Sequence, residues 1–104
     1  MKNIIILCTI NDIKKAKEIS KSLLESRLIA CSNIVPNITS IYRWEGNICE
    51  DGEYLMILKS RSDLFEKVKT NIEILHPYEV PEIIALEITD GNKSYLDWLN
   101  TELK

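Results

Sequence analysis

A chain of 104 residues with 45% hydrophobic and 28% charged residues, three glycines and three prolines has the composition of one globular domain. It excludes collagen-like, low-complexity and disordered classes. The formal net charge of −3 at pH 7 and the pI near 5.2 exclude the basic footprint that binding to nucleic acid or an anionic membrane requires. No stretch reaches the roughly 20 apolar residues of a membrane span, and residues 1–104 read as a single domain.

Ile4 to Cys8 form a short apolar run rich in β-branched residues, which predicts a strand buried on both faces. Asn11 and Asp12 cut that run too early for a signal peptide and offer helix caps instead. Ile13, Ala16, Ile19, Leu23 and Leu24 then recur at helical spacing, predicting an amphipathic helix to about Ser26. Leu28 to Val35 is strand-like, Pro36 marks an edge position or a bulge, and Ile38, Ser40, Tyr42 and Trp44 alternate beyond it. Glu45, Gly46 and Asn47 signal a hairpin whose glycine takes positive φ.

The returning strand runs from about Ile48 to Lys59, with a bulge expected at Asp51 and Gly52. Ser62 is the expected cap of a second helix, whose stripe is Leu64, Phe65, Val68, Ile72 and Leu75 and whose end is His76 and Pro77. Ile83 to Ile88 supplies a fourth strand, Asp90 and Gly91 a turn, and Tyr95, Leu96, Trp98 and Leu99 a short terminal helix.

The order is β-α-β-β-α-β plus a terminal helix, an α+β ferredoxin-like two-layer sandwich. Right-handed crossovers put both long helices on one sheet face and leave the other uncovered. Because Ile4 to Leu7 and Tyr54 to Leu58 are apolar at successive positions, that uncovered face is greasy, and a homo-oligomer with sheets packed face to face is expected.

Three cysteines, Cys8, Cys31 and Cys49, form no C-x-x-C pair, which predicts reduced thiols in a cytoplasmic setting. Cys8 falls at the end of the first strand, while Cys31 and Cys49 read as packing residues. His76 is the single histidine. Its place at a helix end suits a favourable dipole contact, and a thiolate partner would also make it a copper or zinc ligand. Among the carboxylates, Glu45, Glu50, Asp51, Glu53, Glu79 and Glu82 offer acid and base chemistry with no spacing that singles out a pair. No phosphate-binding loop, dinucleotide fingerprint or nucleophile elbow is present, so nucleotide hydrolysis and serine esterase chemistry lack their usual apparatus.

Several segments carry a specific likeness: Ile6-Leu7-Cys8-Thr9, the run from Leu28 through Pro36 and Trp44 to Gly46, His76-Pro77-Tyr78-Glu79-Val80-Pro81-Glu82-Ile83, and Gly91-Asn92 with Tyr95-Leu96-Asp97-Trp98-Leu99. Together they closely resemble the CutA divalent-cation tolerance family over nearly the whole chain. The resemblance implies a PII-like subunit of a cytoplasmic homotrimer, tied to tolerance of copper and other divalent cations and needing no cofactor.

In such relatives a thiol after the first strand and two adjacent histidines before Pro-Tyr are the proposed copper ligands. They map onto Cys8, Leu75 and His76, so one ligand is replaced by leucine and weak metal binding by Cys8 and His76 is expected. Likeness to PII signalling proteins implies clefts between subunits for a small ligand. Tyr42, Trp44, Glu53, Lys59, Tyr78, Glu82 and Trp98 are the candidates by motif and chemistry. An acylphosphatase of the same topology is disfavoured, because Thr9, Ile10, Asn11 and Asp12 provide no phosphate-cradling loop with arginine.

Overall fold

The computed structural model describes residues 1–104 and realises the expected order: β1 (Asn3–Ile10), α1 (Ile13–Glu25), β2 (Cys31–Trp44), β3 (Asn47–Arg61), α2 (Phe65–Leu75), β4 (Ile83–Glu87) and α3 (Lys93–Glu102). The four strands form one antiparallel sheet in the order β2-β3-β1-β4. Apolar periodicity places the core. Ile4, Ile6, Cys8 and Ile10 of β1 and Met56 and Leu58 of β3 share one face, packed in a single cluster with Ala16, Ile19 and Leu23 of α1, Val68 and Ile72 of α2, and Leu99 of α3. On the opposite face, Ile5 and Leu7 lie in register with Lys59 and Ile57 of β3 and with Leu86 and Ile84 of β4. Ile84 and Leu86 are 50% and 51% exposed, so this face is open, as the double-sided apolar pattern implies.

Of the two offered caps, Asp12 is used: its carboxylate accepts the backbone N–H groups of Lys14 (2.8 Å) and Lys15 (3.2 Å). Asp12→Ala is expected to cost about 1 kcal/mol of stability in urea denaturation with an unchanged slope.

Ser62 does not cap the second helix. It lies inside a 3-10 turn, Ser62–Leu64, that precedes α2, and its hydroxyl instead accepts the Lys2 backbone N–H at 3.2 Å. The hairpin follows expectation, with Glu45 (φ 49°) and Gly46 (φ 82°) both left-handed between paired Trp44 and Asn47.

Of the two positions where a bulge is expected, only the one at Pro36 carries it. Asp51 and Gly52 keep regular pairing with Ser40 and Thr39, and the register shifts on β2 between Val35 and Ile38. Pro36 has no N–H to give a partner strand and Asn37 takes φ 61°, so the irregularity falls where both residues favour it. Since β2 is also an edge strand, both readings of Pro36 hold.

Beyond the bulge the β2–β3 ribbon projects from the body. The molecule measures 44 × 26 × 22 Å and exposes 6578 Å². Its radius of gyration is 14.2 Å, against about 13 Å for a compact chain of this length.

Candidate functional site

The ribbon, the end of β1 and the Pro77–Glu82 segment enclose a cavity of about 720 Å³. Strand alternation aims its walls: Ser40, Tyr42 and Trp44 follow one another at every second residue of β2, and Asp51 and Glu53 do the same on β3. Thr9 and Asn11 close one end, and Tyr78, Glu79 and Glu82 come from the loop after α2. No lysine, arginine or histidine lines the cavity, and none of the four carboxylates forms an ion pair.

Two phenol–carboxylate pairs shape its floor. The Tyr42 hydroxyl donates to Asp51 Oδ2, and the Tyr78 hydroxyl donates to Glu53 Oε2. Donation to a carboxylate favours the neutral phenol, which raises Tyr42 to about 12. Burial, and then the Glu53 hydrogen bond, raise Tyr78 as well. Glu53 is only 8% exposed, and with the Tyr78 phenol as its donor no buried side-chain oxygen is left without a partner.

His76 stands just behind this wall, 7% exposed, with its ring 4.6 Å from that of Tyr78 in an edge-on arrangement. Its Nε2 lies 2.8 Å from the Thr9 carbonyl oxygen, and its Nδ1 accepts the Tyr78 backbone N–H at 3.1 Å. A carbonyl only accepts, so Nε2 carries the proton, and neither ring nitrogen has a free lone pair to offer a metal.

Cys8 also reaches the Thr9 carbonyl, donating from Sγ at 3.8 Å. Its thiol is fully buried among core residues on the helix-covered face. Burial, followed by the negative charges of Glu82 and Glu53, pushes it up to about 12.

The structure therefore brings Cys8 and His76 to one carbonyl, both spent as donors to it. A thiolate–imidazole metal site does not fit these two side chains as they stand, and no three His, Cys, Asp or Glu groups converge closely enough to hold an ion.

Five of the seven cleft candidates, Tyr42, Trp44, Glu53, Tyr78 and Glu82, line the cavity. Lys59 and Trp98 do not. Lys59 lies six residues along β3 from Glu53, a distance of about 20 Å, with Nζ 3.8 Å from Cys31 Sγ and also donating to Asn33. Trp98 pairs with Tyr95 on α3, ring centroids 5.5 Å apart. Motif membership did not encode that separation. Thr9, Asn11, Ser40 and Asp51 are wall residues not singled out for the cleft from the sequence, although the i, i+2 spacing of Ser40 with Tyr42 and of Asp51 with Glu53 carried the signal.

Residues 4–102 match the family described as CutA1 divalent ion tolerance protein. The chain belongs to that family. A divalent-cation tolerance protein CutA of Thermus thermophilus is 50% identical over 95 residues, covering 91% of this chain and 92% of the relative. A mouse protein CutA is 48% identical over 87 residues, or 84% of this chain, but the match spans only 49% of the mouse protein. A solved structure of the Thermus thermophilus divalent cation tolerance protein superposes with a TM-score of 0.95 at 47% identity, covering 98% of this chain and 99% of that one. The ferredoxin-like CutA1 fold read from the sequence is thus shown. No helix of the chain is long and apolar enough to cross a membrane.

Proposed function

We propose that this chain is a non-enzymatic divalent-cation tolerance protein that works as a cytoplasmic homotrimer and holds copper or another divalent cation weakly. The observation that carries the reading is the cleft: four carboxylates without a counter-cation, in a member of a family named for divalent ions. Weakness follows from the donor set. Leu75 replaces one of the expected histidines, Cys8 and His76 are engaged at Thr9, and no three donors meet.

A cation in the cleft keeps much of its water and is attracted by charge more than by coordination. The open apolar sheet face supports assembly, and the three unpaired thiols support a reducing compartment.

A second reading, a PII-like trimer taking a small ligand, is favoured by the cavity's size, which suits an organic molecule better than a bare ion. In that reading Lys59 and Trp98 join a cleft only across subunits.

Anaerobic calorimetric titration with copper is the test. Weak binding that survives Cys8→Ser and falls about ten-fold in Glu82→Gln supports the cleft as the cation site. Tight binding abolished by Cys8→Ser would overturn it.

A further inference from the structure

The chain carries two Asp-Gly steps, Asp51-Gly52 and Asp90-Gly91, and all four residues are exposed. Such a step can rearrange without any reagent. The glycine nitrogen attacks the side-chain carboxyl carbon of the aspartate before it, and that nitrogen is unhindered because glycine has no Cβ. The fold sets the two steps apart. Asp51 and Gly52 are held in the β3 ladder opposite Ser40 and Thr39, where extended backbone turns the next nitrogen away from the side chain, and the Asp51 carboxylate is engaged by the Tyr42 phenol. Asp90 and Gly91 lie outside any helix or strand, between β4 and α3. There the Gly91 N–H donates to Oδ1 of Asp90 at 2.9 Å, so the attacking nitrogen and the carboxyl group already face one another.

We infer that Asp90-Gly91 is a site of spontaneous isoaspartate formation and that the sheet protects Asp51-Gly52 from the same reaction. In the step, the Gly91 nitrogen loses its proton and bonds to Cγ of the protonated Asp90 carboxyl, whose hydroxyl leaves as water. A cyclic succinimide results. Water then adds to one of its two carbonyls: addition at the side-chain carbonyl restores aspartate, and addition at the backbone carbonyl leaves the chain running through Cβ. Nothing is oxidised or reduced, and the water lost is regained. Ring closure needs no atom from a second chain.

The product bears on α3. The backbone gains one methylene shortly before Asn92, whose Oδ1 caps the helix by accepting the Ser94 N–H at 3.0 Å and whose carbonyl accepts the Leu96 N–H at 3.0 Å. Gly91 is seated against the Leu96 side chain, where a Cβ would fall 3.3 Å from Leu96 Cδ1, so a re-routed backbone has little room.

Peptide mapping after prolonged warm incubation of the assembled protein in mildly acidic buffer tests the assignment, with electron-transfer fragmentation to separate isoaspartate from aspartate. In the folded protein isoaspartate is expected at Asp90 at about ten times its level at Asp51, and in urea at similar levels at both. Asp90→Glu keeps the charge but needs a larger, less favourable ring, so its peptide should stay unchanged. In aged wild type, hydrogen exchange at the Ser94 and Leu96 amides should quicken about five-fold, as for the loss of one cap, while aged Asp90→Glu keeps its original exchange. Equal levels at the two steps in the folded protein, more at Asp51, none at Asp90, or a preference as large in urea would each overturn the inference. Isoaspartate at Asp90 with unchanged exchange would overturn its effect on α3.

Discussion

Ile57→Glu is expected to convert the assembled protein into folded single chains. Ile57 sits at the middle of the open face, in register with Leu7 on β1 and Asn33 on β2, and Leu7 is in turn paired with Ile84 of β4. In an isolated chain a carboxylate there keeps its water, because that face has no cover. In a face-to-face trimer three carboxylates are brought out of water near a common axis with no cation beside them, at a cost of several kcal/mol. Sedimentation equilibrium at micromolar protein should show the mass falling from three chains to one chain of 12.0 kDa, with the far-ultraviolet circular dichroism retained. Leu58→Glu, one residue along and fully buried against the helices, should instead abolish folding. An Ile57→Glu protein that keeps the wild-type mass, or a wild type that is already a single chain, removes the trimer from the proposal.

That contrast between adjacent residues shows what the sequence could convey. The run Ile4 to Cys8 is apolar at every position, so it announces a strand with two greasy faces but not which face the helices cover. Register decides it, by putting Cys8 opposite Met56 and Leu7 opposite Ile57. Helix stripes, the Asp12 cap and the Gly46 turn were legible because each is a local preference of a few residues. Two bulge positions were legible where the sheet has one, because Asp51-Gly52 and Pro36-Asn37 both carry bulge chemistry and only long-range pairing chooses between them.

The cleft was legible in its chemistry but not in its extent. Tyr42, Trp44 and Glu53 carry the alternation of their strands, whereas the distance of Lys59 and Trp98 from them is a property of the folded sheet. The least legible feature was the state of Cys8 and His76. A thiol and an imidazole read alike as ligands or as structural donors until the Thr9 carbonyl is seen between them.

His76→Ala is accordingly expected to cost about 3 kcal/mol of stability in urea denaturation, a large effect for a single polar residue. The imidazole is the one side chain that links the end of β1, through the Thr9 carbonyl, to the loop carrying Tyr78. Its removal orphans the Tyr78 N–H, leaves the Thr9 carbonyl with only the weak thiol donor, and opens a void beside the core. A metal-ligand role predicts the opposite pattern, with copper affinity lost and stability little changed. His76→Gln separates the two further. Its amide can still donate toward Thr9 or accept from Tyr78, but not both with the ring's span, so about half of the lost stability should return. Because Tyr78 in turn orients Glu53, His76→Ala should also weaken cation binding in the cleft, and His76→Gln should restore binding in step with stability. Copper affinity that falls without any loss of stability would show that the imidazole serves a metal, and that its bonds to Thr9 and Tyr78 are yielded when one arrives.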